Sequence, residues 1–140
     1  MIWKKPVDLE KLNSWNDNTM QRHLGIEFTE IGDDYIVARM PVDHRTKQPV
    51  GLLHGGASVT LAETLGSTAS VLCIDLEKQT VVGLEINANH IRAVREGFVT
   101  GITKPVHLGR STQVWEIKIY NEANQLTCIS RITNAVLEKK

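Results

Sequence analysis

At 140 residues the chain reads as one domain, 1–140, burying roughly two thirds of its unfolded surface. Its 16 basic and 16 acidic residues cancel with no extended run of either sign, which excludes the footprint of a nucleic-acid binder and gives no sign of a membrane-surface partner. No stretch approaches a transmembrane span, and the opening Met1-Ile-Trp-Lys-Lys-Pro lacks an apolar targeting core. Cys73 and Cys128 form no metal spacing and read as small buried hydrophobes of a cytoplasmic protein.

In chain order, Asp8 to Asn16 reads as a short amphipathic helix with Leu9, Leu12 and Trp15 turned inward. A second turn covers Thr19 to Leu24. Gly25 to Ile31 is strand-like, and Gly32-Asp33-Asp34 is a hairpin turn signal. From Tyr35 to Val42, Ile36, Ala38, Met40 and Val42 alternate with Tyr35, Val37 and Arg39, the period of a strand. A polar loop, Asp43 to Pro49, then leads into a helix running from about Gly55 to Cys73.

That helix carries the chemistry. It begins at His54-Gly-Gly56 and holds one carboxylate, Glu63, in a run without lysine or arginine from Gln48 to Glu77. Glu63 therefore has no cationic partner at i±3 or i±4, and a buried carboxylate so placed is expected to have a raised pKa and a functional role. Positions 56, 59, 60, 63, 66, 67 and 70 share one face of small or weakly polar side chains, with Ser67 one turn beyond Glu63. Ala57, Leu61, Leu65, Ala69 and Leu72 form the apolar face opposite. At the helix start, the free N–H groups of Gly55 and Gly56 favour an oxyanion.

Four strands follow. Thr80 to Ile91 is read with Val82, Leu84, Ile86 and Ala88 on one face and Gly83, Glu85, Asn87 and Asn89 on the other. Gly97 to Val106, Thr112 to Tyr120 with Trp115, Ile117 and Ile119 in alternation, and Gln125 to Leu137 complete the set. Consecutive hairpin strands around one segregated helix mean α+β, an antiparallel sheet wrapping a central helix. A floor of small residues around Glu63 is expected to need a second subunit to finish its pocket. On the residues alone, Gln48 is a loop amide, Ser67 is equally a packing residue, and His90, His107 and Arg92 are solvated residues at strand ends. Only Glu63 stands well above such readings unaided.

Several separated motifs together resemble one family. Gln48-Pro-x-Gly-Leu-Leu-His54-Gly-Gly-Ala-Ser-x-x-x-x-Ala-Glu63-x-x-Gly-Ser67 is similar to the hotdog-fold acyl-CoA thioesterases that carry glutamate on the central helix. Met40-Pro-Val-Asp, Val82-Gly-Leu-Glu-Ile-Asn-Ala-Asn-His90 and Pro105-Val-His107-Leu-Gly109 extend the resemblance over essentially the whole chain. It implies hydrolysis of aromatic acyl-CoA thioesters, foremost 1,4-dihydroxy-2-naphthoyl-CoA of menaquinone synthesis. Glu63 is then the general base or nucleophile, Gly55 N–H the oxyanion donor and His54 its support, with Gln48 and Ser67 positioning carbonyl, acyl group or water. Coenzyme A is expected along Gly83, His90, Ile91, Arg92 and Ala93, and along His107, Leu108, Gly109, Arg110, Ser111 and Thr112, partly on the neighbouring subunit. The resemblance implies a homo-oligomer, a site-forming dimer within a tetramer, and needs neither metal nor organic cofactor. Three other readings stay open: proofreading of misacylated carrier protein, a hotdog dehydratase, and a non-catalytic acyl-CoA binding module. The dehydratase is disfavoured because the chain has no His-Phe-Pro segment.

Overall fold

In the computed structural model, which describes residues 1–140, two short helices precede the sheet, Leu9–Ser14 (α1) and Met20–His23 (α2). Asp8 opens α1 by accepting the Lys11 N–H at 2.8 Å, and Leu12 is fully buried. Trp15, expected inward, is 40 % exposed. The inward contact is made by Asn13, whose amide donates to Phe28 O at 3.0 Å and accepts from Phe28 N–H at 2.8 Å, tying α1 to the first strand.

The strands are Glu27–Ile31 (β1), Ile36–Pro41 (β2), Gln79–His90 (β3), Phe98–Leu108 (β4), Thr112–Tyr120 (β5) and Leu126–Glu138 (β6). They make one antiparallel sheet in the order β1-β2-β4-β5-β6-β3, and Gly55–Leu72 (α3) is the long helix, so the α+β class read from the sequence is the class observed. Alternation places Ile36, Ala38 and Met40 of β2, and Trp115, Ile117 and Ile119 of β5, fully inside. They join one core with Leu61, Leu65 and Ala69 of α3. Gly66 is what lets the helix lie so close to the sheet: a Cβ there would sit 2.5 Å from Ile132 Cγ2.

Strand β3 departs from the period-2 reading. Gly83 pairs with Asn134 but Glu85 pairs with Thr133, so Leu84 is an extra residue, a β-bulge. The bulge reverses the alternation: Ile86 and Ala88 pack against the core, whereas Val82 and Leu84, expected on that same face, are exposed. Gly83 turns to the helix side as a result, where its missing side chain leaves room beside Glu63. β3 also ends the sheet, a strand of 12 residues with one edge unpaired.

Cys73 caps the C-terminus of α3, half-buried, and Cys128 is buried on β6. Burial pushes the Cys73 thiol from 9.0 up to about 11 and raises that of Cys128. Only the thiolate attacks disulfide reagents, so at neutral pH Cys73 in the native protein should be labelled roughly 10²-fold more slowly than in the unfolded chain. Labelling in native buffer at the unfolded rate would contradict this burial.

Candidate active site

Two features build the site, one at the start of α3 and one two turns along it. His54 is the N-cap, and its Nδ1 accepts the Gly56 N–H at 2.8 Å, which leaves the ring proton on Nε2. Gly55 opens the helix, where N–H groups have no intrahelical acceptor and the dipole is positive. The His90 ring packs against this point: a Cβ on Gly55 would lie 2.9 Å from His90 Nε2. Gln48 accepts the Val50 N–H on Oε1 at 2.5 Å, which tightens the preceding loop and leaves the amide nitrogen available as a donor.

These residues border a cleft of about 340 Å³ that brings together Gln48, Gly55, His90, Ile91, Arg92 and Ala93, with Leu52, Leu53, Ser58, Val94 and Thr127. The backbone beyond β3 is fixed there by Ile91 N–H and Arg92 N–H, which both donate to Thr127 O, at 2.8 and 3.3 Å. A second strap, Leu53 N–H to Val94 O at 2.8 Å, closes the floor. The Arg92 side chain is exposed at the rim.

Glu63 lies on the open face of α3. Its Oε2 is 3.1 Å from the point a Cβ of Gly83 would occupy, and it forms no ion pair within the chain. The sequence reading had this carboxylate buried; the isolated chain leaves it exposed, because no element of the same chain covers that face. Gly66 and Ser70, expected on the same open floor, are instead buried against the sheet, while Gly56, Val59, Thr60 and Ser67 retain partial or full exposure. The small-residue floor is thus narrower than its spacing suggested.

One chain does not unite all the residues singled out. Gly55 and Glu63 are eight residues apart on α3, roughly 12 Å along its axis. The second group, His107 to Thr112, forms the exposed tip joining β4 and β5, closed by Gly109 N–H to Thr112 O at 2.9 Å. The sheet register puts that tip at the Gly83 end of β3, since Gln113 pairs with Asn134 and Asn134 with Gly83. The cleft lies at the other end of the strand, seven residues away at His90. No three His, Cys, Asp or Glu side chains are grouped so as to hold a metal ion.

Sequence reading passed over Asn134. It is fully buried on β6, where Nδ2 donates to Ser70 Oγ at 2.7 Å and to Gly66 O at 3.5 Å, and no donor of the chain reaches Oδ1. The signal was present: Asn134 interrupts the inward apolar series Ile132 and Val136.

A six-stranded antiparallel sheet laid over one central helix, with a lone carboxylate on that helix, defines a hotdog-fold thioester hydrolase. The chain belongs to the thioesterase superfamily, which it matches over residues 50–128. It is 58 % identical over 98 % of its length to the whole of the 1,4-dihydroxy-2-naphthoyl-CoA hydrolase of Escherichia coli. A proofreading thioesterase of Cronobacter turicensis is 55 % identical over 98 % of this chain and 99 % of its own. Among solved structures, a mutant thioesterase from Pseudomonas aeruginosa superposes with a TM-score of 0.98 at 48 % identity, covering 99 % of this chain and 100 % of that one. No helix is long and apolar enough to cross a membrane.

Proposed function

We propose that this thioesterase hydrolyses aromatic acyl-CoA thioesters, foremost 1,4-dihydroxy-2-naphthoyl-CoA in menaquinone synthesis. The observation that carries the reading is the unpaired Glu63 carboxylate beside Gly83, on the open face of the central helix. A thioester carbonyl is already electrophilic, so the reaction needs only a base or nucleophile, an oxyanion donor and water. Glu63 serves as the first and the Gly55 N–H as the second, with Gln48 and His54 at the oxyanion end and Ser67 beside the acyl group. The name of the Escherichia coli relative supports the aromatic substrate.

The site forms between two subunits. An oxyanion donor has to lie about 2.7–3.1 Å from the developing charge, and roughly 12 Å of helix separates Gly55 from Glu63 within one chain. An unpaired edge with exposed Val82 (42 %) and Leu84 (61 %) suits pairing with a second β3. Antiparallel pairing reverses one β3 against the other, so the β4–β5 tip of one copy approaches the His90 end of its partner. The same reversal sets Glu63 of one helix toward Gly55 of the other and supplies the cover that Glu63 lacks in the single chain. Arg92 and Arg110 then both lie within reach of the phosphates of coenzyme A, which a guanidinium grips through paired N–H groups. A monomeric mass in solution at assay concentration contradicts this arrangement.

A second reading, proofreading of misacylated carrier protein, has the support of two relatives at 55 % identity that are named proofreading thioesterases. Comparing kcat/KM for one aromatic acyl group on coenzyme A and on a carrier protein tests the choice. The present reading expects coenzyme A to be preferred, and a higher value on the carrier overturns it.

A further inference from the structure

We propose that Asn134 is a positioning residue for hydrolysis, holding the attacking water between its Oδ1 and the Glu63 carboxylate in the space that Gly83 leaves open. The inference rests on the thioesterase reading of Glu63 and adds to it the place where the water is held. Asn134 is fully buried, yet its Oδ1 has no donor from the chain. Buried amide oxygens without a partner are uncommon and costly, so such a group calls for an explanation. The Gly66 carbonyl, 3.5 Å from Nδ2, can only accept, which assigns the nitrogen to Gly66 and Ser70 and leaves the oxygen toward Gly83.

The oxygen's surroundings identify its partner. The point a Cβ of Gly83 would occupy lies 3.1 Å from Glu63 Oε2 and 3.7 Å from Asn134 Oδ1. Two acceptors therefore border one small space, and a molecule with two hydrogens to donate satisfies both. Water fits that demand, and any side chain at position 83 would take its room. With one hydrogen on Glu63 and the other on Asn134, the lone pairs of the water are left for the thioester carbon.

The step balances. The water oxygen bonds to the carbonyl carbon as one proton passes to Glu63. The other hydrogen stays on that oxygen, held by Asn134 Oδ1, and remains in the carboxylic acid product. The C–S bond breaks, and the departing thiolate takes up the proton from Glu63. Asn134 exchanges no proton at any stage.

The test is Asn134→Leu, which keeps the volume and removes the acceptor, assayed on benzoyl-CoA beside wild type and Glu63→Gln. The proposal expects kcat to fall at least about 10-fold with KM unchanged; the thermal midpoint falls as well, because the variant takes the Nδ2 donor from the buried Ser70 Oγ. A purely structural Asn134 lowers the midpoint with kcat retained, and overturns the proposal. Gly83→Ala provides a second arm that leaves the buried amide intact: its methyl occupies the water's space, and kcat is expected to fall at constant KM. If Asn134→Leu does not fold, wild-type kcat in Gly83→Ala alone overturns the proposal. A full rate in Glu63→Gln brings down the role of Glu63 as base, no thiol release by wild type brings down the thioesterase reading itself, and the proposal falls with either.

Discussion

Glu63→Gln should lower kcat by at least about 10²-fold while leaving KM little changed. The amide matches the carboxylate in size, so substrate still fits, but it neither accepts a proton at neutral pH nor attacks a carbonyl. General-base assistance contributes about 10²–10⁴-fold, which sets the size of the expected loss, and a loss confined to kcat marks an interaction made in the transition state. Stability should hold or rise, since Glu63 forms no ion pair within the chain and a neutral amide costs less than an unpaired carboxylate beneath the partner subunit. Steady-state kinetics beside urea unfolding separates the two effects. A variant that is destabilised but turns over at the wild-type rate makes Glu63 a structural residue.

The second large effect lies in the core. Trp115 is fully buried on β5, stacks on Trp3 with ring centroids 6.2 Å apart and planes 9° from parallel, and donates Nε1–H to Gln113 Oε1 at 3.0 Å. Trp3 in turn donates to Gly32 O at 2.8 Å, so this pair holds the N-terminal segment against the β1–β2 turn. Trp115→Ala removes the largest fully buried side chain and leaves the Gln113 oxygen without its donor. The expected cost is about 3–5 kcal/mol, read as a lower urea midpoint at an unchanged slope. A loss below about 1 kcal/mol would mean that the core closes over the gap.

Where alternation runs unbroken, as in β2 and β5, the inward set was legible residue by residue, since a period of two leaves only two faces to choose from. It was not legible in β3, because a bulge at Leu84 adds a residue without any change of composition and turns Gly83 from the outer face to the inner one. The helix start was legible through His54 and the glycine pair, whose capping needs only local geometry. The exposure of Glu63 was not: its uncharged neighbours on α3 describe one helix, whereas burial depends on what packs over it from outside that helix. Spacing along the chain also could not say that His90 and His107 stand toward opposite ends of the sheet, because that follows from register alone. Asn134 went unread for a related reason, as one polar residue in an apolar strand acquires meaning only when its partners are known.

The central claim, hydrolysis of an aromatic thioester through Glu63, is tested most directly by free-thiol release, with wild type and Glu63→Ala measured side by side. The substrates are a stable analogue of 1,4-dihydroxy-2-naphthoyl-CoA, benzoyl-CoA and a medium-chain fatty acyl-CoA. Turnover that favours the two aromatic substrates and is lost in the variant is the predicted result. Full turnover in Glu63→Ala, or no thiol released from any of the three by wild type, contradicts it.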